Sequence, residues 1–310
     1  MKNMYSRRDS LKLSLLAGLG LSLQPSYAFF NPKDKVLTRP IPKSGEALPV
    51  VGLGTWQTFD VGNSVEKRKL LTEVLTQLHG FGGSVIDSSP MYGSSEKVVG
   101  DLAGQLDFQK QLFYATKVWT SGKLAGIRQM DSSFKKMGVT TMDLMQIHNL
   151  VDWKTHVKTL KDWKAQGKIR YWGITHYVDS SHESLERIIA AERPDFVQFN
   201  YSIRSRHAEK SLFQTAHKYE VATLINQPYG GGSLFGAVRG KTLPSWAKEW
   251  GIHSWGQFFL KFILSNPHVG CVIPGTSKPH HMIDNMGAGL GRIPNRETRE
   301  KMASYIKKSL

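Results

Sequence analysis

The chain of 310 residues holds a single cysteine, Cys271. That excludes an intrachain disulfide, and with it the disulfide-stapled scaffolds of small secreted proteins. No Cys/His cluster has the spacing of a zinc site, and the adjacent pair His280-His281 turns its side chains apart, so no metal is expected. Acids are scarce beside bases: 25 Asp and Glu stand against 41 Lys and Arg, a formal net charge of +16. The bases are scattered over many segments and belong to no nucleic-acid-binding module, so no nucleic-acid partner is expected. Such a balance suits anionic surroundings such as phosphate cofactors, lipid headgroups or nucleic acid, and with the bases so scattered it reads best as a generally basic secreted surface. Also missing is a G-x-G-x-x-G turn early in the chain: Gly52-Leu-Gly54 opens no such motif, which removes the signature of an open dinucleotide-binding sheet. What is present, 40% hydrophobic and 21% charged residues, is the composition of a globular protein with a sizeable core.

The first residues read as a targeting segment. Ser6-Arg7-Arg8-Asp9-Ser10-Leu11-Lys12 leads into the uncharged, leucine-rich run Leu13 to Leu23, followed by Pro25 and the small-x-Ala exit Ser26-Tyr27-Ala28. The run is too short for a comfortable permanent anchor, so the mature form is expected to have no membrane span. Residues 1–28 are therefore expected to be a cleaved export signal, and residues 29–310 a single domain that resides in the periplasm or is otherwise exported. The paired arginines resemble a twin-arginine (Tat) signal, with Ser10 where an aromatic is usual; the Tat export machinery would then be a partner.

After Arg39-Pro-Ile-Pro, eight short apolar or β-branched runs recur: Val50–Trp56, Ser84–Ser88, Leu112–Val118, Leu144–His148, Tyr171–Thr175, Phe196–Tyr201, Ala222–Asn226 and Val269–Pro274. Between them lie stretches of helical periodicity, such as Lys69 to Leu78, and Thr159 to Gln166 closed by Gly167. Strand then helix, repeated, is the unit of a parallel sheet, and eight units suit a closed α/β barrel. No linker or low-complexity segment divides it.

In a barrel the carboxyl ends of the strands converge on one mouth. The second run ends at Asp87, the third in Ala115-Thr116-Lys117-Val118-Trp119, and the fourth in Met145-Gln146-Ile147-His148-Asn149, with Tyr92 in the loop after Asp87. Each alone has a plain structural role available; three successive strands with ionisable ends do not look accidental. A phenol is a poor acid at neutral pH. A neighbouring Lys117 ammonium is expected to lower the Tyr92 pKa, and Asp87 to hold Lys117 in place and protonated. His148 can bond the oxygen that Tyr92 protonates. Such a set suits proton delivery to a carbonyl oxygen while something else attacks the carbon.

On these four residues, in this order and spacing, the chain resembles the aldo-keto reductase superfamily, from about Leu48 to Asn285. The resemblance implies a (β/α)8 TIM barrel, closed at its bottom by an N-terminal β-hairpin. It implies hydride transfer from NADPH to a small aldehyde or ketone, with Asp87, Tyr92, Lys117 and His148 as the catalytic tetrad. For the nicotinamide it implies Gln198 and the pair Thr175-His176, which stands where the family has Ser-Asn; Asn226 occupies the place of a stacking tyrosine. The segment Ile273 to Asn285 resembles the adenosine-phosphate loop, through Gly275, Thr276 and Ser277 to Lys278 as partner of a 2′-phosphate. His281 replaces a common arginine there, and Asp284-Asn285 match the pair that holds adenine. A neutral histidine grips a dianion less well than arginine, so NADP(H) is expected with NAD(H) not excluded. Gly230-Gly231-Gly232 suits either a pyrophosphate approach or a flexible turn. Trp56, Trp119 and Tyr229 are either pocket wall or core. The expected activity is carbonyl reduction. The alternative is a reductase-derived envelope binding or accessory protein with weak or no turnover. A potassium-channel accessory role, also found in the family, is set aside because export would put the chain on the wrong side of the membrane.

Overall fold

Alternation within each short strand decides what the interior holds. The structure, a computed structural model, describes residues 34–309; the expected export signal lies outside the described residues. Strands β1 (Thr38–Pro40) and β2 (Ala47–Pro49) pair antiparallel as a hairpin. Eight parallel strands follow: β3 (Leu53–Gly54), β4 (Val85–Asp87), β5 (Phe113–Val118), β6 (Met142–His148), β7 (Ile169–Thr175), β8 (Phe196–Asn200), β9 (Ala222–Asn226) and β10 (Cys271–Val272). They pair in sequence order, and parallel bridges Val51↔Val272 and Gly54↔Gly275 join the first to the last. All eight expected runs thus become barrel strands, with helices between them. The joint requires close backbone approach: a Cβ on Gly54 would stand 2.8 Å from the Ile273 carbonyl oxygen.

Successive strand residues point to opposite faces. Outward positions such as Ile86, Val118, Met145, Ile147 and Val197 belong to the apolar layer under the helices. The helix Val65–Gly80 meets that layer with Leu71, Val74, Leu75 and Leu78, spaced for one face, and Ser64 caps its start by accepting from the Lys67 N–H. Inward positions change character along each strand. Val85, Phe113, Leu144, Phe196 and Leu224 form one apolar cluster low in the lumen, together with Ile41 and Leu48 of the hairpin segment. Two residues further along those strands the inward side chains are Asp87, Ala115, Gln146, Gln198 and Asn226, and beyond Ala115 and Gln146 come Lys117 and His148. The lumen is therefore oily below and polar above.

The hairpin seals the oily end, as expected. The Arg39 guanidinium donates to the carbonyls of Leu264 (2.6 Å), Asn266 (3.1 Å) and Val269, just ahead of β10. Lys43 Nζ donates to the carbonyls of Arg193 (2.5 Å) and Pro194 (2.8 Å), just ahead of β8. Both cations hold carbonyls at the amino ends of strands, which leaves the carboxyl ends open.

Candidate active site

The polar end of the lumen is organised around one carboxylate. Asp87, 3% exposed, ends β4; Lys117, fully buried, lies on β5. Lys117 Nζ donates to Asp87 Oδ2 at 2.6 Å and to the Ser88 carbonyl at 2.7 Å. The other carboxylate oxygen, Oδ1, accepts from Gln146 Nε2 (3.0 Å) and Gln198 Nε2 (2.8 Å). Because a carboxylate only accepts, both amides are oriented by it. Gln198 Oε1 then faces outward to accept from Thr175 Oγ1 and Asn226 Nδ2, each at 3.3 Å. Gly173 leaves the room this packing needs, since a Cβ there would come within 3.2 Å of Gln146 Cγ. Burial is the largest single influence on Lys117 and pulls its ammonium pKa down, but the charges of Asp87 and Tyr92 and the hydrogen bonds to them together outweigh it, so the pKa is raised.

Tyr92 sits in the turn after β4, its N–H bonded to the Ser89 carbonyl at 3.0 Å. Lys117 Nζ lies 4.9 Å from the centre of the Tyr92 ring, and the His148 ring meets that ring edge-on with centroids 5.8 Å apart. All four tetrad residues thus come together. One expectation is corrected: the Tyr92 pKa is raised, not lowered. Burial pushes the phenol up, the Lys117 charge pulls it down, and the Asp87 charge pushes it up again; the upward effects prevail. The phenol therefore keeps its proton at neutral pH. His148 is the opposite case. Burial, then the charges of Lys117 and His176, hold its imidazole down to about 2, so it is neutral. Its Nδ1 lies 3.0 Å from Ser89 Oγ.

A cavity of about 580 Å³ opens above the tetrad, lined by Asp87, Tyr92 and His148 and walled by Trp56, Met91, Tyr177 and Phe235. Those four apolar side chains are all exposed, Trp56 to 51%. Trp119 stands beside the mouth with its ring 6.4 Å from His148. Tyr229, also in the wall, is fixed by donating to Asn285 Oδ1 at 2.6 Å. Gln57, Asn149 and Gln227 line the same cavity with left-handed backbone, φ +59°, +52° and +48°. Strain in residues other than glycine gathers at functional sites. Among the described lining residues there is no lysine or arginine, despite the basic composition.

The residues expected to hold a cofactor lie partly in the cavity lining and partly beyond it. Gln198 and Thr175 line the cavity, and so does Asn226, which is an amide link in the polar chain and offers no ring to stack. His176 does not line it; Nδ1 of its ring accepts from the Tyr177 N–H at 3.0 Å, and Tyr177 takes the wall position. Gly275 lines the cavity at the β3–β10 joint, and Gly231 and Gly232 extend the lining on another side. Beyond Gly275, Thr276 is buried and its Oγ1 accepts from the Lys278 N–H at 3.1 Å, Ser277 is half-buried, and Lys278 and His281 are exposed on and beside the start of the helix Pro279–Gly287. Asp284 and Asn285 are tied inward: Asp284 accepts from Ser254 Oγ (2.6 Å) and Gln257 Nε2 (2.9 Å). A dinucleotide fits this setting. The cavity runs from the tetrad to glycine backbone, the exposed Lys278 lies beyond it, and the side-chain oxygens of Asn149 and Asn226 are buried acceptors with no partner among the described residues. No group of His, Cys, Asp and Glu among those residues could hold a metal ion.

Sequence reasoning missed Gln146, Ser89 and Tyr177. Gln146 carried a readable signal, a lone amide two residues before His148 and hence on the same strand face.

A sequence model of the Aldo/keto reductase family matches residues 50–301. The chain is 27% identical over 188 residues to methylglyoxal reductase YeaE of Escherichia coli (strain K12), covering 59% of this chain and 64% of that relative's length. It is 25% identical over 316 residues to aldo-keto reductase str7 of Strobilurus tenacellus, covering 86% and 91%. In three dimensions it is similar to an aldo/keto reductase from Klebsiella pneumoniae in complex with NADP and acetate, with a TM-score of 0.74, 22% identity, and 88% and 95% of the two chains covered. Because the family match takes in most of the residues described, the chain belongs to the aldo/keto reductase family.

Proposed function

We propose that this oxidoreductase reduces an aldehyde or ketone to the alcohol with NADP(H), Tyr92 delivering the proton to the carbonyl oxygen. The observation that carries this reading is the buried, ion-paired Lys117 ammonium at 4.9 Å from the Tyr92 ring, with His148 at its edge and a cavity above. The cofactor, when bound, supplies the hydride. Thr175, Gln198 and Asn226 would meet its nicotinamide end, Gly275 to Lys278 its phosphates, and Asp284 and Asn285 its adenine. Relatives crystallised with NADP and NADPH support that choice.

The chain's own part is proton management. Tyr92 holds its proton at neutral pH, as a donor must. As the carbonyl oxygen gains charge, the phenol gives up that proton, and the resulting phenolate is stabilised by the ammonium beside it. Asp87, Gln146 and Gln198 keep that ammonium from drifting. The lining carries apolar rings and no lysine or arginine, which favours uncharged carbonyl compounds over phosphorylated or carboxylated ones. Tyr92→Phe is expected to lower kcat by about 10²–10⁴-fold with nucleotide affinity nearly unchanged. A variant that keeps most of the wild-type rate on the same aldehyde removes Tyr92 from the mechanism.

We also propose export by the twin-arginine route, supported by Arg7-Arg8, the apolar run Leu13–Leu23 and the Ser26-Tyr27-Ala28 exit. Replacing Arg7-Arg8 with two lysines is expected to leave uncleaved protein in the cytoplasm; normal cleavage and export of that variant would refute the route.

A further inference from the structure

Ser89 is fully buried beneath His148 and serves no role in the proton transfer set out above. Its hydroxyl oxygen accepts from the Met91 N–H at 3.3 Å and lies 3.0 Å from His148 Nδ1. A hydroxyl has one proton to give. Among the described residues, His148 Nδ1 is the acceptor within reach of it. The opposite arrangement, Nδ1–H donating to Ser89, would leave the serine proton buried with nothing to bond, and such unmade bonds are costly.

We propose that Ser89 is a positioning residue that fixes His148 in the tautomer protonated on Nε2, so that the imidazole offers the cavity a donor and not a lone pair. The neutral ring makes this matter. Burial and the Lys117 charge keep His148 from taking a second proton, so only one of its nitrogens can donate. No described residue bonds Nε2, and His148 lines the cavity. With Nε2–H facing outward, two donors converge, the phenol O–H and the imidazole N–H. Two converging donors match the two lone pairs of a carbonyl oxygen. With the other tautomer, an Nε2 lone pair would face the oxygen lone pairs and repel them.

The consequence for reduction rests on the proposed function, but the tautomer can be read in the resting protein. In protein labelled with ¹⁵N-histidine, long-range ¹H–¹⁵N correlation separates protonated from bare ring nitrogens, with His148→Gln used to assign the signal. The expected wild-type pattern is Nε2 protonated and Nδ1 bare but hydrogen-bonded. Ser89→Ala is expected to shift the Nδ1 signal and mix the tautomers. Its kcat on an uncharged aldehyde should fall about 10-fold with nucleotide affinity held, and Ser89→Thr should recover much of both. A wild-type spectrum with Nδ1 protonated overturns the proposal without any variant needing to fold. An unchanged spectrum and rate in Ser89→Ala overturns it too, leaving carbonyl reduction standing. If the tautomer is as expected but no carbonyl compound is reduced, the assignment of Ser89 survives and the functional reading falls.

Discussion

Lys117 and Lys261 are both withdrawn from solvent, yet burial has opposite net outcomes for their charges. Lys117, at the polar end of the lumen, has a carboxylate at 2.6 Å, and its pKa is raised in spite of burial. Lys261 lies on the outer helix Trp255–Leu264 and donates to the carbonyls of Leu290 (2.7 Å) and Arg292 (2.8 Å); burial pulls its pKa down to about 8. The number of hydrogen bonds is similar, so what separates the two is net charge. Carbonyl dipoles hold an ammonium in position, but an opposite full charge is what holds its proton. A structural joint tolerates a lysine that titrates near pH 8. The role proposed for Lys117, stabilising a phenolate, does not.

The comparison breaks first at Lys117→Met. This variant removes the cation beside Tyr92 and leaves the nearly buried Asp87 without its counter-charge. A kcat loss of about 10²–10⁴-fold is expected, with a stability loss of about 3–5 kcal/mol in urea titration. Adding Asp87→Asn should recover much of the stability and none of the rate. Equal stability of the single and double variants would show that the carboxylate charge is not what Lys117 balances.

A smaller effect sharpens the contrast. Between about pH 8 and the unfolded lysine value of 10.5, the unfolded chain still binds the Lys261 proton that the folded chain has released. More protons on the unfolded side means stability rises with pH across that window. Lys117, whose folded pKa is raised, stays charged there; its contribution is present below the unfolded value and is lost only above the folded one. Wild type should therefore gain on the order of 2 kcal/mol relative to Lys261→Met between pH 8 and 10.5. Denaturation midpoints of the two proteins that run parallel over this range would contradict the assignment.

Much of the scaffold is visible in the chain because each strand advertises itself locally. Val85-Ile86-Asp87 shows both the apolar alternation and the point at which it turns polar. The tetrad is visible for the same reason, one ionisable group at the end of each of three strands. What is not visible depends on long-range packing. Gln146 and Gln198 reach Asp87 across 59 and 111 residues, and no window of sequence contains them together. The direction of the Tyr92 shift was missed on similar grounds: neighbouring charges can be listed from sequence, but desolvation needs the finished fold. His176 is a subtler case. Its place beside Thr175 suggested a shared task, but the backbone turn after β7 gives the wall to Tyr177 instead.

The joint between β3 and β10 also orders events in time. Its backbone bonds, Gly52 N–H to Val272 O at 2.9 Å and Gly54 N–H to Pro274 O at 3.1 Å, unite the earliest and latest barrel strands to be synthesised. Gly54 lines the cavity from one side of that joint, and Ile273 and Gly275 from the other. A nascent chain therefore has no complete mouth to offer until its last strand has left the ribosome, and the slow, long-range pairing of that strand comes last of all. Loading of a nucleotide is an event of the finished chain. Under the export route proposed above, the interval between release from the ribosome and passage through the membrane would set which compartment supplies the nucleotide.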